Sequence, residues 1–562
     1  MWMSCARGGA GGAGAAVGVM GKGVASRAVL GMSSLHIVTA TPALLADDRS
    51  RAAYSEGAGI YRILPRAVAV PGSVAELTAL VRWAADTRTP LVPRGAGSGM
   101  AGGNVGRGVI VDLGQGFHAL TVDPARRLAR AGASVTWAEI NAAARGLGLR
   151  LPPDPSSGAF ATSGGMVSTN AAGPRSLRYG SVRQWIESLE TVDASGEPRT
   201  VHRGGGAGPW HPAPDTRHLV DGHFPRTRKN SSGYALDAFA ESGDELDLLI
   251  GSEGTLAFIT QIEWRLEPIL PDVAGVALGF GELEALSDAV PYLLALNPSA
   301  VELLDRTILS FVEEAGVALP AGLACLLLVE FERETAMAAR GVVGDAVRGL
   351  KHLTAHVETA VDRPGLERLW KVRTLASPAL ARLSETRRSL QVIEDGCVPI
   401  ERLGEYVAGV RGAADRCGVQ VVLFGHAGDG HVHVNTLPDV TRPGWEDGVS
   451  ALFDAVTALQ VRLGGTPSGE HGDGRLRAGL LERVFGAQVM ALFRQVKRAY
   501  DPGEVLNPGV ILPAADWAPL VDLKVGAAAT PIADDIAARL RQLERTASWA
   551  TPKTSLADSP GT

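Results

Sequence analysis

Pro90-Leu91-Val92-Pro93-Arg94-Gly95-Ala96-Gly97-Ser98-Gly99 decides how the amino-terminal half of this chain is read. Its first four residues suit a short strand, which runs into a loop with glycine at every second position. Alternate glycines let backbone N–H groups converge into a concave nest, and such a nest holds a diphosphate without a lysine. A tight turn is the other reading of the same residues. The loop is not a Walker loop, since Gly-Lys-Ser/Thr is absent. Nor is it the dinucleotide fingerprint of a βαβ unit, since no helical pattern opens after it. Upstream, Val68-Ala69-Val70-Pro71 is extended, and Ser73 with Glu76 has capping-box spacing. Leu77, Leu80, Val81 and Ala84 then keep a helical period. Downstream, residues 108–113 read as another strand. Strand–helix–strand alternation points to α/β or α+β.

The rest of the chain narrows the function classes. The 562 residues are 46% hydrophobic and 20% charged, an ordinary globular balance. A net charge of −6 argues against a nucleic-acid binder held by phosphate contacts. The cysteines Cys5, Cys325, Cys397 and Cys417 form no C-x-x-C pair. A disulfide scaffold, a cysteine-rich zinc site and an Fe–S cluster bound by this chain are therefore not expected, and a reducing compartment is. No apolar run reaches the length of a transmembrane segment. The Gly/Ala-rich start reads as a disordered extension, or as residues from an upstream start codon with the working one at Met32, in preference to a targeting peptide.

A change of texture between Pro268 and Asp272 marks a boundary. Beyond it the patterns predict strands at 273–280, 324–331 and 419–424. Helices are expected at 283–296, kinked or restarted at Pro291, and at 403–414. Residues 480–512 are mostly helical, and the tail beyond Pro531 has one helical stretch and a polar, mobile end.

Three further stretches bear on the glycine loop. Pro152-Pro153-Asp154-Pro155-Ser156 is a rigid turn with a carboxylate. Gly164-Gly165-Met166-Val167-Ser168-Thr169-Asn170-Ala171-Ala172-Gly173 is rich in small and hydroxyl residues. Gly251-Ser252-Glu253-Gly254-Thr255-Leu256 precedes a strand that contains Ile259. In order and spacing these resemble the FAD-binding domain of the vanillyl-alcohol oxidase and p-cresol methylhydroxylase type. The resemblance implies FAD held by Pro93, Arg94, Gly95, Ala96, Gly97, Ser98 and Gly99. It adds Asp154, Pro155, Gly165, Ser168, Asn170, Gly173, Glu253, Thr255, Ile259 and Asn507. Some relatives carry a flavin-linked histidine in the loop. Ser98 stands at that position and has no ring nitrogen, so the FAD is expected to be noncovalent.

The most informative window of the carboxy-terminal half is Gly425-His426-Ala427-Gly428-Asp429-Gly430-His431-Val432-His433-Val434-Asn435. A period of two puts His431, His433 and Asn435 on one strand face and the valines on the other. His426, in the preceding Gly-rich turn, can fold back toward that polar face. Farther on, Ser468-Gly469-Glu470-His471-Gly472-Asp473-Gly474 offers a carboxylate and an imidazole on a flexible turn. Two histidines and a carboxylate with an open position suit a catalytic divalent metal, Zn or Mn. A hydrogen-bonded histidine cluster on a half-exposed strand is the alternative.

With Asp501-Pro502 and Asn507-Pro508-Gly509 near the end, these motifs resemble the FAD-linked D-lactate, glycolate and D-2-hydroxyglutarate dehydrogenases. The resemblance implies that His426, His433 and Glu470 are metal ligands, with Asn435 beside them, and that His471 is the base. His431 stands where the family usually has Asn. Arg373, after Trp370 on a helical pattern, falls on the residue that binds the substrate carboxylate. Glu394-Asp395-Gly396-Cys397 reads as a structural turn.

The fold expected is α+β: a two-subdomain FAD-binding PCMH-type domain, a ferredoxin-like α+β substrate domain and a carboxy-terminal helical segment. The boundaries are an extension at 1–46, the FAD domain at 47–270, the FAD-linked oxidase carboxy-terminal domain at 271–515 and a tail at 516–562. The expected activity is oxidation of a D-2-hydroxy acid, D-lactate favoured, to the 2-oxo acid. Electrons then pass to a separate acceptor: cytochrome c, a quinone, an electron-transfer flavoprotein or an Fe–S subunit. Alternatives are glycolate or D-2-hydroxyglutarate as substrate, an O₂-using oxidase of the same fold, and a non-catalytic flavoprotein subunit. The expected location is the cytoplasm, with a peripheral position at the inner membrane as the variant.

Overall fold

The computed structural model describes residues 42–558 apart from 382 and 385. The Gly/Ala-rich extension and Met32 lie outside the described residues.

The glycine loop leaves the end of a three-stranded parallel sheet. Val109–Asp112 is the middle strand, with Ala67–Ala69 on one side and Leu91–Arg94 on the other. Helix Val74–Thr87 covers this sheet with Leu77, Leu80, Val81 and Ala84, the four residues the periodicity selects. Ser73 caps it by accepting from the Glu76 N–H, but the Glu76 carboxylate accepts from Gly72 rather than from Ser73. A second sheet is antiparallel and five-stranded. Its order is Leu120–Asp123, Leu128–Gly132, Ala257–Arg265, Ile186–Asp193 and Pro198–His202.

The substrate half is built on a seven-stranded antiparallel sheet. Its first four positions are His356–Ala360, Asp272–Phe280, Cys325–Arg333 and Ala300–Asp305, which is ferredoxin-like order. Val421–His426, His431–Thr436 and Gly396–Cys397 extend it beyond Ala300–Asp305. Both faces are covered, so strand alternation sorts side chains between two cores. Val276, Leu278, Leu303, Val432 and Val434 enter one, while Leu326, Leu328, Val422 and Phe424 enter the other. The second face also carries the polar residues Glu302, His426 and His433, because Glu302 pairs with His426 and Phe424 with His433. Helix Arg363–Ala381 packs over that face through Leu366, Leu369, Val372 and Ala376. The fold is α+β.

Two expectations are corrected. Helix Leu286–Ala295 runs through Pro291 without a restart, because Leu286, Ala289, Val290 and Leu293 bury one continuous face. The tail has its expected helix, and its polar end is not loose as far as residue 558, where Leu556 is buried. Helix Asp534–Thr546 buries Ile536, Leu540 and Leu543 in a core with Tyr54, Val68, Val92, Ile110 and Leu556. Arg49 ties it down through Asp535. No helix among the described residues is long and apolar enough to cross a membrane.

Candidate active site

The 93–99 loop, the 154–168 segment, the 253–259 segment and the polar end of the seven-stranded sheet surround one cavity of about 1150 Å³. The loop can pack in this shape only because side chains are missing. A Cβ on Gly97, whose φ is +81°, would lie 2.5 Å from the Arg94 guanidinium, and one on Gly95 would lie 2.3 Å from Thr162 Oγ1. Arg94 itself is 2% exposed and donates to the Glu56 carbonyl (2.7 Å) and the Tyr54 carbonyl (3.3 Å). It braces the loop from beneath. Asp154, Pro155, Gly165, Ser168, Glu253 and Ile259 also line the cavity. Asp154 is paired to Arg175, yet burial still raises its carboxyl. Glu253 accepts from the Asp473 N–H (2.7 Å) and Gly474 N–H (3.0 Å), which clamps this wall to the loop carrying His471.

Four residues expected at the flavin lie behind the walls. Asn170 accepts from the Arg183 N–H (3.3 Å). A Cβ on Gly173 would meet the Asp154 carbonyl at 2.2 Å, so this glycine serves close packing of the Asp154 turn. Thr255 donates to the Ser252 carbonyl (2.7 Å) inside its own turn. Asn507 donates to the carbonyls of Gly103 (2.9 Å) and Glu253 (2.8 Å). All four hold loops in place.

Across the cavity, His426 ends its strand instead of lying in the turn after it. Its Nδ1 donates to Glu302 Oε1 (2.5 Å), and its Nε2 lies 3.2 Å from Glu470 Oε1. His433 Nε2 lies 3.6 Å from the same oxygen. His431 donates through Nε2 to Asp395 (2.8 Å). Burial would lower the His426 imidazole, but Glu302 raises it to about 9. Burial lowers His431 to about 4, which leaves it neutral. Glu470 is held well below the carboxylate range, against its burial, by Lys229 and His426.

One donor atom from each of His426, His431, His433 and Glu470 lies within 4.8 Å of the others, and all four residues are buried. Nδ1 of His431 has no hydrogen-bond partner, while Nδ1 of His433 lies 3.3 Å from Glu394 Oε1. Buried nitrogens without partners are costly, and a nitrogen-and-carboxylate donor set fits Zn²⁺ or Mn²⁺. Asn435 lines the cavity beside them, with Nδ2 bonded to Ser389 (3.2 Å).

His471 stacks on His433 at 5.4 Å and 17°, and its side chain is 28% exposed toward the cavity. Nδ1 donates to Glu394 Oε2 (2.8 Å). Burial would lower this imidazole, but Glu394 and Asp395 raise it to about 10. The 468–474 segment is not flexible: Asp395 accepts from Ser468 Oγ (2.6 Å) and the His471 N–H (2.9 Å). Arg373 lines the cavity from its helix, stacked over Phe424 at 5.2 Å.

Two family models match the chain. That of the FAD binding domain covers residues 65–202, and that described as FAD linked oxidases, C-terminal domain, covers 271–511. D-lactate dehydrogenase of Archaeoglobus fulgidus is 32% identical, over 80% of this chain and 93% of that protein. Glycolate oxidase subunit GlcD of Bacillus subtilis is 29% identical, over 80% and 89%. D-2-hydroxyglutarate dehydrogenase of Escherichia coli is also 29% identical, over 81% of this chain but 49% of its own length. The chain belongs to the FAD-linked oxidoreductase family of these dehydrogenases. Two solved structures of alkyldihydroxyacetonephosphate synthase share the fold, with TM-scores of 0.59 and 0.54 at 16% identity. The first covers 83% of both chains.

The glycine cradle of this FAD-linked oxidoreductase fits the group its family binds. Several residues at the site escape a sequence reading. Glu394 and Asp395, read there as a structural turn, bond the imidazoles of His471 and His431. Lys229 donates to Glu470 Oε2 (2.8 Å) across 241 residues of sequence. Glu302 bonds both His426 and Arg373. The one local signal was the pair Glu394-Asp395 directly after the apolar run Val392-Ile393, since buried acids need partners. The tail contributes Arg541, Glu544 and Trp549 to the cavity wall, although it lies beyond both family matches.

Proposed function

We propose that the protein oxidises a small D-2-hydroxy acid, with D-lactate favoured, to the 2-oxo acid and passes the electrons to a separate acceptor. The observation that carries this reading is one cavity with the glycine cradle on one side and Arg373, His471 and the His426–His433–Glu470 cluster on the other. When bound, FAD supplies the two-electron acceptor and a divalent ion on His426, His433 and Glu470 supplies the Lewis acid. Arg373 meets the substrate carboxylate with its terminal nitrogens, since its Nε is bonded to Glu302. His471 takes the hydroxyl proton at Nε2 once that nitrogen has lost its own proton, which its raised value of about 10 confines to the alkaline side of neutrality, and Glu394 fixes which nitrogen faces the cavity. Lys229 holds Glu470 Oε2, which leaves Oε1 for the cluster.

Two other arginines line the cavity near Ser389. Arg388 pairs with Glu544 at 3.3 Å, and Arg387 lies over Phe311 at 5.6 Å. Both are engaged with the protein, while Arg541 also lines this cavity, so the arginines leave room for either a mono- or a dicarboxylate. In steady-state assays with D-lactate, an electron-accepting dye is expected to support turnover far better than O₂ or NAD⁺. Turnover on O₂ alone at the dye-linked rate, with stoichiometric peroxide, would replace this reading with an oxidase.

A further inference from the structure

Strand Ala300–Asp305 is buried at every position, and Glu302 has no exposed surface. A carboxylate in such a place is tolerated only when both oxygens are bonded. Both are: Oε1 accepts from His426 Nδ1 at 2.5 Å, and Oε2 accepts from Arg373 Nε at 2.9 Å. The arrangement is a product of the fold. Antiparallel pairing sets Glu302 directly opposite His426, while its neighbours Val301 and Leu303 point into the core on the other face. Helix Arg363–Ala381 lowers Arg373 onto the same carboxylate.

We propose that Glu302 is a shared positioning residue that couples the metal-ligating imidazole to the carboxylate-binding guanidinium. By accepting from Nδ1 it aims Nε2 of His426 at Glu470 Oε1. By accepting from Nε it turns the terminal nitrogens of Arg373, which have no other hydrogen-bond partner among the described residues, toward the cavity. The two anchor points of a 2-hydroxy acid, its hydroxyl and its carboxylate, are thereby registered to one buried group. The proposal rests on the functional reading above for what the two arms bind.

Glu302→Gln tests it, because the amide keeps the shape but loses the charge and one acceptor oxygen: Arg373 Nε can only donate and takes the remaining oxygen in a weaker, neutral bond, while His426 Nδ1 loses its acceptor. Metal affinity, measured by chelator competition on the FAD-loaded protein, is expected to fall about 10- to 100-fold. KM for the 2-hydroxy acid at saturating metal is expected to rise about tenfold, and Arg373→Ala added to Glu302→Gln should raise it by less than the product of the separate effects. A folded Glu302→Gln protein with wild-type metal affinity and wild-type KM would overturn the proposal. If the wild type binds no divalent ion, the functional reading fails instead. The positioning role is then read without metal, from the Nδ1 proton of His426 by NMR on histidine-labelled protein. A downfield, exchange-protected signal lost in Glu302→Gln supports it, and an unchanged or absent signal overturns it.

Discussion

Replacing Glu394 by Gln separates chemistry from architecture at the residue most easily taken for a structural turn. Glu394 is 4% exposed, and its Oε2 accepts from both His471 Nδ1 (2.8 Å) and Arg477 (3.2 Å). Its carboxylate is the largest influence raising the His471 imidazole. The amide keeps an acceptor but loses the charge. A charge-assisted bond is worth about 1.5–3 kcal/mol and a neutral one about 0.5–1.5 kcal/mol, so His471 loses about 1–1.5 kcal/mol of orientation, or roughly tenfold in rate. Arg477 has no exposed surface and no other ion-pair partner among the described residues, so a folding cost of about 1–3 kcal/mol accompanies the loss of rate. The assay is dye-linked kcat and KM with D-lactate, alongside thermal unfolding. The expected outcome is kcat at the pH optimum down about tenfold or more with KM little changed, and the optimum itself moved to lower pH because the charge that raises His471 is gone. Lower stability with wild-type kcat would refute the reasoning and make Glu394 purely structural.

Three other outcomes are expected. Acid precipitation should leave the flavin colour in the supernatant, because Ser98 offers no ring nitrogen for a covalent bond; colour retained in the pellet would contradict this. Truncation after residue 515 removes the burial of Ile536, Leu540, Leu543 and Leu556, each worth at most about 1.5–3 kcal/mol, and one wall of the cavity. Both the melting temperature and flavin retention should drop, and a truncated protein equal to wild type in both would show the tail to be dispensable. Burial raises Asp305 to about 6 from an ordinary 3.8, against the pull of Arg411. The folded state therefore holds this proton where the unfolded state has released it. Stability from this group falls by about 3 kcal/mol as pH rises from about 4 to 6 and is flat above. The pH dependence of Asp305→Asn should differ from wild type by that step, and parallel curves would refute the assignment.

What could be read in the sequence was local. The 93–99 loop, the cap at Ser73 and the 431–435 alternation each depend on neighbours a few residues apart, and local geometry dictates them. The missed parts depend on sheet register and helix docking. Glu302 reaches His426 across 124 residues of sequence, and no periodicity links them. Asn170 and Asn507 are a different case, since the structure puts neither on the cavity lining. Both adopt left-handed backbone, with φ of +51° and +44°, and bond loop backbone groups. In sequence, a polar residue that shapes a loop looks the same as one that touches a ligand. The helical stretch of the tail was legible, but its anchoring was not, because the few apolar residues that hold it are spread over one side of an otherwise polar helix.

The central claim is that a D-2-hydroxy acid is oxidised at the flavin with help from a metal held by His426, His433 and Glu470. Anaerobic rapid mixing of the purified protein with D-lactate or L-lactate, followed at the flavin absorption band, tests it most directly when repeated after chelation and after restoring Zn²⁺ or Mn²⁺. The account predicts bleaching by the D-isomer alone, lost on chelation and recovered with the metal. Bleaching that survives chelation, or that occurs equally with the L-isomer, would contradict it.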